Sequence, residues 1–110
     1  MPNSFVVTLN NQIVYTYKDV PVPARLRRYF DEMDQHMESG VQLGDAFVKQ
    51  PSNFQRQQYV AMDLMHRIEK KDSQTIEVLS AYLMRRNKAL IEINIISKDD
   101  MFNMKLITKV

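Results

Sequence analysis

The chain has 110 residues and a mass of 13.0 kDa, enough for a single domain with one hydrophobic core. Hydrophobic residues make up 45% and charged residues 25%, an ordinary folded composition that excludes disorder, collagen and a disulfide scaffold. A net charge of +2 is too small to supply the broad attraction behind non-specific nucleic-acid binding, and the absence of cysteine excludes disulfides, thiolate nucleophiles and cysteine-ligated metals.

Met1 to Asn11 lacks the basic start of a secretory signal or transit peptide, and no apolar run approaches the ~20 residues of a membrane span. A cytoplasmic protein with no membrane partner is the default expectation. Phe5 to Leu9 and Ile13 to Tyr17 are β-branched and aromatic runs on either side of Asn10, Asn11 and Gln12, which is the pattern of a hairpin. Two registers compete. Asn10 and Asn11 suit a two-residue type I′ turn, whereas a three-residue loop pairs Leu9 with Ile13, Val7 with Tyr15 and Phe5 with Tyr17. The second is preferred because it puts every large apolar side chain on one face and leaves Val6, Thr8, Val14 and Thr16 on the other.

A first helix is predicted from Pro23 to about Ser39, with Leu26, Phe30, Met33 and Met37 as its stripe and Gly40 at the left-handed position beyond its end. Val41 to Pro51 reads as an irregular loop. Ser52 and Gln55 have capping-box spacing and open a second helix to about Lys71, whose apolar residues spread over more than one stripe, so it is expected to be the most buried. A third helix starts at Asp72 or Ser73 and ends near Asn87, carrying Ile76, Leu79 and Leu83. Ile91, Ile93 and Ile95 then alternate with polar residues, as do Phe102, Met104 and Leu106. A two-residue loop at Asp99 and Asp100 sets Ile95 opposite Met104 and Ile93 opposite Leu106. The fold class is therefore α+β in the order ββαααββ: a mostly antiparallel four-stranded sheet from two terminal hairpins, with three helices packed on one face.

Cations in the last turns of the second and third helices are placed where the dipole favours them. The first helix reverses this layout, with Arg25, Arg27 and Arg28 crowding its positive end. One reading of these arginines is an anion-binding site for a phosphate or a partner's carboxylate, with Arg56 as a further contributor; the other is a solvated, locally paired surface. Glu32 with His36, and Asp63 with His66, have spacings compatible with a metal, but such spacings are common by chance, so no metal and no cofactor are assigned. A serine elbow, a P-loop, a dinucleotide fingerprint and a zinc-protease motif are all missing, so no catalytic residue is named; a small enzyme built on a His/carboxylate pair is kept as a second alternative.

Interaction is the preferred class. Eight methionines, among them Met62, Met65, Met101 and Met104, suit an adaptable surface or a methionine-rich core. Val6, Val14 and Tyr15 offer few charges to discourage strand pairing with another chain, and Val41, Leu43 and Phe47 either give the 41–51 loop an apolar contact of its own or fold under the second helix, where three apolar residues in eleven usually find the core. The sequence thus suggests an interaction or regulatory module whose partner is another protein or a second copy. Nucleic-acid or phosphate binding by the basic helix start is the alternative.

Overall fold

Two strands open the chain, β1 (Ser4–Leu9) and β2 (Gln12–Lys18), followed by α1 (Ala24–Glu38) and a short hairpin of β3 (Val41–Leu43) and β4 (Ala46–Val48). Then come α2 (Asn53–Lys70), α3 (Ser73–Arg86), β5 (Leu90–Lys98) and β6 (Met101–Thr108). These elements belong to a computed structural model that describes residues 3–18 and 21–109, so the extremes of the expected 1–110 domain lie outside the described residues. The α+β class and the two terminal hairpins are as expected. The small β3–β4 hairpin replaces the expected irregular loop: Gly44 at φ +59° makes its turn, and the Gln42 side chain donates to the Gly44 carbonyl at 2.9 Å.

The main sheet has the order β2-β1-β5-β6. Both hairpins are antiparallel, but they join through β1 and β5 running parallel, which makes the sheet mixed. Asn10 and Asn11 both have positive φ, so the first hairpin turns on two residues and not three. Leu9 therefore faces Gln12, and Thr8 faces Ile13. A bulge at Val14 then absorbs one residue and restores the expected Val7–Tyr15 and Phe5–Tyr17 pairs. The second hairpin has the predicted Ile95–Met104 and Ile93–Leu106 pairs, turning on Asp99 and Asp100, both at positive φ. A second bulge, at Ile91, turns this residue outward and places Leu90 in the core instead.

The helix boundaries follow from local chemistry. Ser52 accepts from the Gln55 N–H while the Gln55 side chain accepts from the Ser52 N–H, and Asp72 caps α3 through the Thr75 N–H. Contrary to expectation, α3 and not α2 is the most buried helix; from Leu79 to Met84 every residue is buried. This stretch lies where α2, α1 and the sheet all reach it, whereas Ser73, Gln74, Glu77 and Arg85 of the same helix stay exposed. The core joins Phe5, Val7, Ile93 and Ile95 of the sheet to Phe30 and Met37 of α1, Leu64 and Met65 of α2, and Leu79, Tyr82, Leu83 and Met84 of α3. Buried Gln57 finds its partner in the Asn87 amide, which donates to it at 3.1 Å.

On the uncovered face of the sheet, the Thr8 hydroxyl and the Asn94 amide donate to Glu92 Oε2 at 2.7 and 2.9 Å. The bonds from Asn94 and Thr8 hold the Glu92 carboxyl below its ordinary pKa. At the end of α1, Gly40 has φ +130°, and a Cβ there would lie 2.4 Å from the Phe47 ring. Gly40→Ala is expected to destabilise the protein by about 1–3 kcal/mol through backbone strain and displacement of Phe47, read as a lower thermal midpoint. An unchanged midpoint would contradict this placement.

Candidate functional site

Helical twist divides the arginines expected to act together: Arg25 and Arg28, three residues apart, share one side of α1, whereas Arg27 is turned away from both. Arg25 lines a cleft of about 610 Å³ between β2, α1 and α3, together with Lys18, Tyr15, Leu26, Glu77 and Val78. Arg27 instead meets Arg85, Arg86, Asp31 and Phe30 at a hollow of about 260 Å³ between α1 and α3. Arg28 is exposed and lines neither. The first turn of α1 has no side-chain cap, and its Leu26 N–H is already bonded to the Pro23 carbonyl at 2.9 Å.

Arg56 is occupied elsewhere, at a carboxylate that sequence reasoning did not single out. Asp34 projects from α1 between the other two helices. Tyr82 donates to its Oδ1 at 2.5 Å, Arg86 donates to its Oδ2 through Nε at 3.2 Å and Nη2 at 2.6 Å, and Arg56 Nη1 lies 3.4 Å from Oδ1. The Arg86 guanidinium also sits over the Tyr82 ring, 5.0 Å from its centre. Burial disfavours the Asp34 charge, but the bonds from Tyr82 and Arg86, the Arg86 charge and the Arg56 bond outweigh it, so its pKa falls below the ordinary value. Burial and the bond to Asp34 push the Tyr82 phenol well up, which keeps it a neutral donor. Burial alone would lower Arg86, but Asp34 more than compensates and raises it. One signal was present in the sequence. Asp34 lies four residues after Phe30 and three before Met37, on the apolar stripe itself, where a carboxylate requires partners.

His36 and His66 are exposed on α1 and α2, Glu32 is exposed, and Asp63 pairs with Arg67 at 3.4 Å. Among the described residues no group of three or more His, Asp or Glu side chains is placed to hold a metal ion. No helix among them is long and apolar enough to cross a membrane.

The six residues expected to form an interaction surface fall in separate places. Val6 lies on an internal strand, flanked by Thr16 and Glu92. Val14 is the exposed bulge residue of β2, whereas Tyr15 is half-buried and turned toward α3, where burial raises its phenol pKa, Ser80 opposes this and Glu77 adds to it. Val41 is 3% exposed and belongs to the core, Leu43 is half-buried, and of these three apolar residues only Phe47 stands well out of the fold. Of the methionines, Met37, Met65 and Met84 are core residues, Met33, Met62 and Met104 are half-buried, and Met101 is 76% exposed.

The sheet has two edges, and they differ. β2 is interrupted by its bulge and ends on Lys18, devices that discourage an added strand. β6 runs unbroken through eight residues, with Lys105 as its lone charge. The helix layer also stops short of it: Ile93 and Ile95 on β5 are 0% exposed, but Met104 and Leu106 are half-covered and Phe102 is 45% exposed on the same side. The Ile95 carbonyl accepts the Asn10 N–H at 2.8 Å and so faces β1. Met104, opposite Ile95, therefore points its own N–H and C=O away from β5, and by alternation Phe102 and Leu106 do the same. Comparison with family models, with curated proteins and with solved structures finds no match, so the functional reading rests on these residues alone.

Proposed function

We propose that this chain is a protein-interaction module that acts by binding, pairing the open edge of β6 with a second copy of itself. The observation that carries the reading is the half-covered inner row of a regular edge strand, Phe102, Met104 and Leu106, with outward backbone donors and acceptors. A two-fold axis through Met104 brings Phe102 of one copy against Leu106 of the other, Met101 against Ile107, Asn103 against Lys105, and Asp99 against Lys109. Both apolar rows then match, and the acidic turn meets the basic end of the strand. Moving the axis to Lys105 would set that lysine against itself, and a one-residue slip would turn the inner row to solvent.

The register gives a sharp test. Asn103 and Lys105 are exposed, outer-face residues that become close cross-strand neighbours only between copies, whereas 103 with 103 or 105 with 105 would be too far apart to bridge. A mixture of N103C and K105C is therefore expected to form a disulfide-linked dimer on mild oxidation, and neither variant alone should do so. N103E should tighten dimerisation and N103K weaken it, each by roughly 2- to 30-fold, since the Lys105 contact occurs twice. A 13.0 kDa species at every concentration in light scattering, or equal cross-linking by the single variants, would overturn the reading.

A further inference from the structure

We infer that the hollow between α1 and α3 is a phosphate-binding site built by Arg27, Arg85 and Arg86. Three arginines from two helices line it, together with buried Phe30. Arg86 is already fixed in place, because two of its nitrogens bond Asp34 and its plane lies over Tyr82, so little conformational freedom remains to be lost when it binds. Its Nη1 group is not used in those bonds. Arg27 and Arg85 are exposed, and neither forms an ion pair among the described residues. The carboxylate at the hollow, Asp31, is 83% exposed and lies 3.8 Å from Arg86, so three cations stand against Asp31 and Asp34 before any ligand arrives.

The size of the hollow, about 260 Å³, suits one phosphate group and its water rather than a whole drug-sized ligand, which occupies roughly 300–1,000 Å³. Its chemistry suits a tetrahedral anion: a phosphate monoester has three terminal oxygens and free phosphate four to meet donors arriving from both helices, and guanidinium groups bind them in forked pairs. A carboxylate has two oxygens in one plane and would leave one arginine unanswered. The ligand class is therefore free phosphate or a phosphate monoester whose remainder lies outside the hollow. The site shares no residue with β6, so either proposal can fail alone.

The test is an amide NMR titration of the full chain with inorganic phosphate, phenyl phosphate and acetate, each at constant ionic strength. Saturable shifts are expected at Arg27, Phe30, Asp31, Arg85 and Arg86 in the millimolar range, with acetate much weaker. Arg27→Ala and Arg85→Ala should each weaken phosphate binding several-fold, and Lys70→Ala should not. Tighter binding of phenyl phosphate would assign the site to organic monoesters, and tighter binding of inorganic phosphate to the free ion; both support the inference. Shifts that never saturate, that centre elsewhere, or that acetate reproduces at equal concentration would overturn it.

Discussion

Replacing Ile93 by alanine is expected to cost about 2–5 kcal/mol, the range for deleting a branched side chain from a close-packed core. Ile93 is 0% exposed, and its strand neighbours are Val7 on β1 and Leu106 on β6, so a cavity there has little room to collapse. The same change at Ile91 should cost no more than about 0.5–1 kcal/mol, because the bulge turns that side chain outward and it is 37% exposed. Urea unfolding of the two variants checks the contrast, with the lower midpoint expected for I93A. Equal losses would mean that β5 keeps its alternation through residue 91 and that Leu90 is not the core residue.

Asp34→Ala should be the most damaging polar substitution, at about 2–3 kcal/mol near neutral pH. It strands the Arg86 charge and the Tyr82 hydroxyl at the junction of three helices, with some relief because Asp34 and Arg86 keep about a quarter of their side-chain surface, 24% and 28%, in contact with water. Asp34→Asn should cost less, since it keeps an acceptor for Tyr82 and loses only the charge. The pH dependence has a definite sign. Because the folded state lowers the Asp34 pKa, its contribution is complete above the unfolded value of about 3.9 and is lost as pH falls through the lower folded value. The stability gap between the native chain and Asp34→Asn should therefore be constant from about pH 5 to 7 and close below about pH 4. A gap that widens on acidification would show that the carboxylate is not held ionised by its partners.

Much of the fold is legible from short-range chemistry. Ser52 with Gln55 announces the start of α2, Asp72 that of α3, and paired Asn or Asp residues mark both hairpin turns; each signal works within a few residues, where the chain has almost no loop entropy to overcome. The first hairpin shows the limit of such reasoning. Its turn residues and its apolar pattern asked for different registers, and a bulge at Val14 satisfied both, a solution that neither signal contains. Ile91 was misplaced for the same reason.

The candidate sites were less legible. Arg27 stands between Arg25 and Arg28 in the sequence but is turned away from both on the helix, whereas Arg27, Arg85 and Arg86 line one hollow because α1 packs beside α3. The edge expected at the first hairpin became an internal strand in β1 and a bulged strand in β2, which left β6 as the open one.

The amino-acid sequence by itself determined the α+β class, the three helices, the side-chain caps of α2 and α3, and the predicted pairing of Ile93 and Ile95 across the second hairpin. Tertiary structure decided that the two hairpins join through parallel β1 and β5, that residues 79–84 of α3 are enclosed, and that Asp34 gathers Tyr82 and Arg86 from 48 and 52 residues away. The physical reason is that caps, turns and alternation are settled between near neighbours. Which strand becomes an edge, and which charges share a hollow, depends on closing long loops, and that is favourable only when the whole core forms at once.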